Sequence, residues 1–308
     1  MTRSSAPGKI ILFGEHAVVY GRPALAVPVT QVHVDVDVRE SPRPGIWIEA
    51  PAVNLHAELN TLPSDYPAAA VIHNFFFLWR VAPFPNLQID ISSTIPVASG
   101  LGSGAAVTVA LTRALASYFN FPMSDEQVNS FAYEIEKLHH GTPSGIDNTV
   151  ISYAKPVYFV KGQSIEIFSV GSPFTVVIGN TGISAPTKES VGDVRRLWEA
   201  DPQKWDRVFD RVGSIANQAR QVIARGDINQ LGGLMNENHA LLQEMTVSSP
   251  ALDRLVLAAR DAGAPGAKMS GGGRGGNMIA LAMPEMAEQV ARALEEAGAT
   301  NTIITRVS

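Results

Sequence analysis

Strict alternation of apolar and polar residues over Gln31-Val-His-Val-Asp-Val-Asp-Val38 is the clearest pattern in this chain. It predicts a strand with one buried and one solvated face. Shorter runs predict strands at Lys9 to Phe13, Ile46 to Ala50 and Leu87 to Ile91, with a helix from about Pro67 to Arg80 that buries the Phe75-Phe-Phe-Leu-Trp79 cluster. Helical spacing then covers Ser103 to Asn120 and Ser124 to His139, where Ser124 and Gln127 stand at capping-box positions. After the turn-rich Gly141-Thr-Pro-Ser-Gly145 the pattern returns to strand-like runs at Pro156 to Val160, Ile165 to Val170 and Phe174 to Gly179. From Thr187 to about Ala262 it is helical, with breaks near Asp201-Pro202, Gly226-Asp227 and Ser248 to Pro250. The tail reads strand, helix, strand over Asn277 to Ala282, Pro284 to Ala297 and Thr302 to Val307.

Antiparallel-type strands in mixed order with helices argue for α+β layers rather than a regular βαβ series. The 308 residues suffice for a large core, and at ~150 residues per domain they predict two domains. The expected division is 1–172 and 173–308, with the boundary near Gly171-Ser-Pro173. An apolar fraction of 45% with 17% charged residues is that of an ordinary globular protein, and a net charge of -5 supplies no basic face for nucleic acid. The absence of cysteine rules out disulfides, thiolate chemistry and Cys-ligated zinc. No run reaches the ~18 apolar residues of a membrane span, and the first residues lack the apolar core of a signal peptide. The cytoplasm is therefore the expected compartment.

Chemistry concentrates where glycine does. Ile95-Pro-Val-Ala-Ser-Gly-Leu-Gly-Ser-Gly-Ala-Ala-Val107 sets Gly100, Gly102 and Gly104 around Ser99 and Ser103 and opens directly into a helix. Glycines let backbone approach an anion, and the first N–H groups of the helix face it, so the implied ligand is a nucleotide phosphate. A Walker loop is excluded because no lysine follows these glycines. Gly100-Leu-Gly-Ser-Gly-Ala105 matches a dinucleotide fingerprint but lacks the following strand and acidic ribose ligand. A Gly/Ser/Ala-rich helix start chosen for close packing uses the same residues.

Three further segments join glycine to ionisable groups: Ala6-Pro-Gly-Lys-Ile-Ile-Leu-Phe-Gly-Glu-His16, Gly141-Thr-Pro-Ser-Gly-Ile-Asp-Asn148 and Lys268-Met-Ser-Gly-Gly-Gly-Arg-Gly-Gly-Asn277. Taken singly, Lys9 reads equally as a strand-edge gatekeeper and Asp147 as an Asx-turn residue. The third segment runs straight into a strand, which favours close approach of a ligand over a linker. His139-His140 follows a helix C-terminus, where imidazole complements the dipole, and no H-E-x-x-H spacing exists to hold a transition metal.

In this order the motifs resemble those of the GHMP kinases, from residue 6 to about 282. The Gly-Glu-His-Ala-Val-Val-Tyr-Gly and Gly-Thr-Pro-Ser-Gly-Ile-Asp-Asn stretches are most similar to family members whose acceptor is mevalonate. The resemblance implies a two-domain α+β fold with the active site in the interdomain cleft. It also implies an ATP- and Mg²⁺-dependent transfer that yields 5-phosphomevalonate for isoprenoid synthesis, and a homodimer as a common assembly. By residue, it implies that Asp147 acts at the acceptor hydroxyl as general base or orienter, with Lys9 as its cationic partner. Pro96, Ser99, Gly100, Leu101, Gly102, Ser103, Gly104 and Ala105, with Gly272 and Arg274, fall at ATP-binding positions. Glu136 and Ser103 fall at metal positions, and Glu15, His16 and Thr187 near the acceptor.

Two positions depart from the pattern. Gly104 stands where animal members carry the serine that ligates magnesium, so Ser103 or water takes that place. Arg274 replaces a customary glycine and is expected to crowd the loop, reach a phosphate or point to solvent. The alternatives to a mevalonate acceptor are phosphomevalonate, a sugar or homoserine, and outside catalysis a ligand-binding regulator on the same fold. A diphosphomevalonate decarboxylase shares the fold as well, but Lys9 with Gly14-Glu15-His16 speaks for the kinase.

Overall fold

The computed structural model describes residues 1–96, 99–140, 143–164, 166–184 and 187–308, without the side chains of His139 and His140. Val97-Ala98 of the glycine motif, Gly141-Thr142 of the turn-rich loop, Ile165 at the head of an expected strand, Ala185-Pro186 before Thr187, and the expected dipole role of the two imidazoles lie outside the described residues.

The chain forms two compact units. One comprises Met1–Lys9, Val32–Val97 and Leu101–Ala154, the other Ile10–Gln31, Ala98–Gly100 and Lys155–Ser308. Compactness does not follow a single cut in the sequence, because the two longest strands, β1 (Thr2–Phe13) and β2 (Ala24–Glu40), contribute residues to both. Residues 155–172 pack with the second unit.

In the first unit the alternation of β2 has the predicted effect: Val34, Val36 and Val38 are fully buried. The strand pairs antiparallel with β5 (Leu87–Ser93), placing Val36 beside Ile91 and Val38 beside Ile89. β5 in turn runs parallel to β3 (Ile46–Ala50), which pairs antiparallel with β4 (Leu55–Glu58). The last, Leu-His-Ala-Glu, does alternate, but four residues are too few to stand out as a strand signal. Helix α1 (Pro67–Trp79) packs on α2 (Ser103–Tyr118), and α2 on α3 (Asp125–His140) and α4 (Ile146–Tyr153). The aromatic cluster of α1 is buried only in part. Phe75 and Phe76 enter the core, whereas Phe77 is 81% and Leu78 58% exposed, because successive helical residues diverge by about 100° and cannot all face inward. The capping box before α3 forms as read: the Ser124 N–H donates to Gln127 Oε1 (2.8 Å) and the Gln127 N–H to Ser124 Oγ (3.2 Å).

One element corrects the sequence reading. Asp147 lies not in a turn but in the first turn of α4, whose start is set by Gly145 in the left-handed region and by Thr149 Oγ1 donating to Gly145 O (2.6 Å). The β-branched Ile146, Thr149, Val150 and Ile151 lower helix propensity, but all four are buried, and burial overrides a local preference.

In the second unit, Ala24–Ala26 of β2 pair antiparallel with β6 (Val157–Phe159), which pairs with the short β7 (Glu166–Ile167). A four-stranded antiparallel sheet follows in the order β11-β8-β10-β9, from β8 (Phe174–Asn180), β9 (Gly266–Ser270), β10 (Asn277–Ala282) and β11 (Asn301–Val307). Helices α5 (Thr187–Ala200), α6 (Pro202–Arg225), α7 (Leu231–Glu244), α8 (Pro250–Asp261) and α9 (Ala287–Glu296) share a core with Val177, Met269, Met278 and Ala280 on one face of it. All three expected helix breaks occur, each with a physical stop. Asp201 caps α6 by accepting from the Lys204 N–H with Pro202 in its first turn, Gly226 ends α6 in the left-handed region, and Ser249 caps α8 ahead of Pro250. Strand β9, Gly-Ala-Lys-Met-Ser, escapes the sequence pattern because it is buried throughout yet carries a lysine. Among the described residues no helix is long and apolar enough to cross a membrane.

Candidate active site

In the first unit the glycine motif closes over Lys9. The Lys9 N–H donates to Leu101 O (2.9 Å), which ties β1 to the motif. Gly102 then caps α2 from the left-handed region at φ 78°. A Cβ there would lie 2.8 Å from Ile151 Cδ1 and 2.9 Å from Lys9 Cγ, so only glycine lets the helix begin this close to the lysine. No side chain caps α2, which leaves the first N–H groups, from Ser103 onward, for an anion. Gly104 is exposed with nothing near a would-be Cβ, so a serine would fit; its absence here has no steric cause.

The buried side chain of Lys9 crosses to α4, where Nζ meets Asp147 Oδ1 at 2.9 Å. From α3, Glu136 shares the same field. Burial first, and then the charge of Asp147, push its carboxyl up to about 8, with Lys9 acting in the opposite sense. Two carboxylates against one lysine leave this corner one positive charge short when both ionise. Its donors are hard oxygens, and among the described residues no group of three or more His, Asp or Glu forms a metal cage. That chemistry fits Mg²⁺, which keeps waters and phosphate oxygens and takes only one or two carboxylates.

This shift carries a stability prediction. The raised pKa means that between about 4.5 and 8 the folded state binds a proton that the unfolded state has released. Stability therefore falls as pH rises through that window. With divalent cations chelated, Tm should drop between pH 5 and 8, and Glu136→Gln should flatten that part of the curve. An identical slope in the variant would assign the dependence to other groups.

In the second unit β1 ends at Phe13, and Gly14 and His16 adopt φ of 97° and 61° on either side of Glu15. A bulky residue at positive φ is strained, and such strain gathers at functional sites. His16 Nε2 lies 3.1 Å from Gly272 O; a carbonyl only accepts, so Nε2 carries the hydrogen. Nδ1 is buried with no partner among the described residues. Burial chiefly, aided by the charge of Arg274 and opposed by the Gly272 carbonyl, pushes the imidazole down to about 4, and it is neutral at physiological pH. Thr187, the first residue of α5, packs on the same Gly272: a Cβ there would lie 2.7 Å from Thr187 Oγ1. Glu15 is ion-paired to Lys268 of β9.

The second unit also holds Ser99 and Gly100. Asn277, which opens β10, donates to Ser99 O (2.5 Å) and accepts from Asn180 Nδ2 (2.8 Å). Lys268 and Asn277 bound the third glycine-rich segment, but the sequence gives neither a role, although a polar residue inside a buried strand is a signal that points to both. Arg274, at φ 62°, donates its N–H to Val247 O (2.7 Å) and pairs its guanidinium with Asp193 of α5. Its guanidinium is therefore not free in solvent. The site residues thus gather as two sets: Lys9, Gly102, Ser103, Glu136 and Asp147 in one unit, and Glu15, His16, Thr187, Gly272 and Arg274 in the other.

Comparison with known proteins places the two halves of the chain in one family. The model of the GHMP kinase N-terminal domain matches residues 66–155 and that of the GHMP kinase C-terminal domain residues 219–300. The chain belongs to the GHMP kinase family. Its relatives include the mevalonate kinases of Thermococcus sibiricus, 38% identical over 99% of this chain and 96% of that one, and of Pyrococcus furiosus, 35% identical over 99% and 96%. Among solved structures, L. major mevalonate kinase in complex with R-mevalonate superposes with a TM-score of 0.88 at 28% identity, covering 100% of this chain and 96% of that one.

Proposed function

We propose that this chain is an ATP-dependent kinase that phosphorylates the primary hydroxyl of mevalonate, giving 5-phosphomevalonate for isoprenoid synthesis. The observation that carries the reading is the Lys9–Asp147 pair at 2.9 Å, beside Glu136 and under the uncapped start of α2. Phosphoryl transfer asks a protein mainly for positioning and charge neutralisation. The glycine motif and the first N–H groups of α2 hold the nucleotide phosphates, Gly100 to Ala105 lying along them and Pro96 and Ser99 at the entry. Asp147, one-third exposed, orients the acceptor hydroxyl and takes its proton as that oxygen bonds to the γ-phosphorus and ADP departs. Lys9 keeps Asp147 in place and offsets charge on the transferring group. Glu136, with the Ser103 hydroxyl or water, would hold Mg²⁺, which would supply charge neutralisation for the nucleotide phosphates. Glu15, His16 and Thr187 face the acceptor.

The test is ADP release with Mg²⁺-ATP against mevalonate, 5-phosphomevalonate, galactose and homoserine, with the product read by phosphorus NMR. Turnover on mevalonate with phosphate on O5 is expected. Turnover confined to another acceptor, or nucleotide binding without turnover, would overturn the reading.

Arg274 is a nucleotide-phosphate ligand in this reading, exchanging Asp193 for the anion. Arg274→Gly should raise KM for ATP by about tenfold, the scale of one charge-assisted hydrogen bond. Unchanged KM for ATP and kcat would leave Arg274 a tether to α5.

A further inference from the structure

Lys268 is the middle residue of a strand buried along its whole length, and its side chain is 0% exposed. Its Nζ donates to Glu15 Oε1 and to Met269 O (2.7 Å) and stands 5.9 Å from the centre of the Phe13 ring. Burial lowers its pKa from the ordinary lysine value, and the Glu15 carboxylate opposes that shift. Such a pair is a poor stability device, because an apolar side chain of similar volume commonly serves a buried position as well or better. A methionine would suit the neighbours of Lys268, among them Phe13 and the Ile279 paired with it on β10. The reason for a lysine must lie with Glu15. That residue sits between two left-handed backbone positions, and His16 beside it reaches Gly272 in the loop that packs on Thr187.

We propose that Lys268 is a positioning residue for the acceptor site: its ammonium, anchored on Met269 O, holds the Glu15 carboxylate in one orientation before the acceptor alcohol arrives. The inference rests on the assignment of Glu15 to the acceptor side. The lysine does not touch the acceptor. It removes the rotational freedom that Glu15 would otherwise lose on binding, and it keeps the carboxylate from turning toward other donors. The expected signature is confined to the acceptor, because neither Lys268 nor Glu15 lies among the residues assigned to the nucleotide.

The experiment compares wild type with Lys268→Met, Lys268→Arg, Glu15→Gln and the double variant Lys268→Met/Glu15→Gln. KM for mevalonate and for ATP, kcat, and the thermal shifts produced by mevalonate and by a non-hydrolysable ATP analogue are read for each. Lys268→Met should raise KM for mevalonate by about tenfold or more and abolish the mevalonate shift, with KM for ATP and the nucleotide shift preserved. Lys268→Arg, which keeps the charge, should recover part of the loss. Since Lys268→Met strands a buried carboxylate, the double variant serves as the folded reference. If the lysine acts through Glu15, adding Lys268→Met to Glu15→Gln changes KM for mevalonate no further. Multiplicative effects, equal losses on both substrates, or a methionine variant as good as wild type would overturn the proposal. A wild-type protein that binds nucleotide but turns over no mevalonate would instead refute the acceptor assignment, and this inference with it.

Discussion

Asp147→Asn should abolish turnover, lowering kcat by about a thousandfold or more, while a non-hydrolysable ATP analogue binds with a Kd within a few-fold of wild type. Asparagine keeps the shape of the side chain and its place in the first turn of α4, so positioning of the helix is preserved. It removes the group proposed to take the acceptor proton, and with it the charge that meets the buried Lys9 Nζ at 2.9 Å. The uncapped N–H groups at the start of α2, proposed to hold the nucleotide, are untouched. Single-turnover kinetics by rapid quench, with calorimetric titration of the analogue, separate these effects. Near-normal turnover in the variant would remove Asp147 from the chemistry and bring forward a binding or regulatory role for the fold.

The second large effect is on stability. Gly14→Ala should cost about 3 kcal/mol or more, lowering Tm by on the order of 5–10 °C. A Cβ at Gly14 would sit 2.4 Å from Ala24 Cα and 2.5 Å from Pro23 O, backbone atoms that cannot swing aside. Gly162→Ala separates the causes. Gly162 has a similar left-handed φ of 80° but open space where the Cβ would go, so it should cost only about 1 kcal/mol, the strain of the backbone angle alone. Equal losses at the two positions would show that chain conformation rather than the approach of Ala24 makes Gly14 necessary. Because Gly14 aims Glu15 and His16, the variant should also raise KM for mevalonate before it alters KM for ATP.

What could be read in advance was what neighbouring residues decide. The alternation of β2, the Ser124–Gln127 box and the stops at Asp201, Gly226 and Ser249 are local devices, and each appears where the sequence put it. Helix α4 and strand β9 were hidden because long-range burial decides them: the first is rich in β-branched residues, the second interrupted by lysine. The same limit applies to the site. Nothing local tells Lys9 from a strand-edge gatekeeper or Asp147 from a turn residue; their pairing joins β1 to α4, far apart in sequence. Family resemblance named the two together, and the fold shows the contact. Arg274 marks the opposite case. Resemblance flagged it as a departure, but its partner Asp193 is no part of any motif and could come only from the packing of α5.

His16 leaves one consequence for selectivity. With its Nε2 hydrogen spent on Gly272 O and its protonation pushed down to about 4, this imidazole is fixed as a lone-pair presenter through the whole neutral range. Whatever approaches Nδ1 must bring a hydrogen, and an anion finds no welcome there. If His16 faces the acceptor as proposed, an acceptor that carries a carboxylate would have to have that charge met elsewhere, and one that reaches Nδ1, buried in this structure, would have to offer it a hydroxyl.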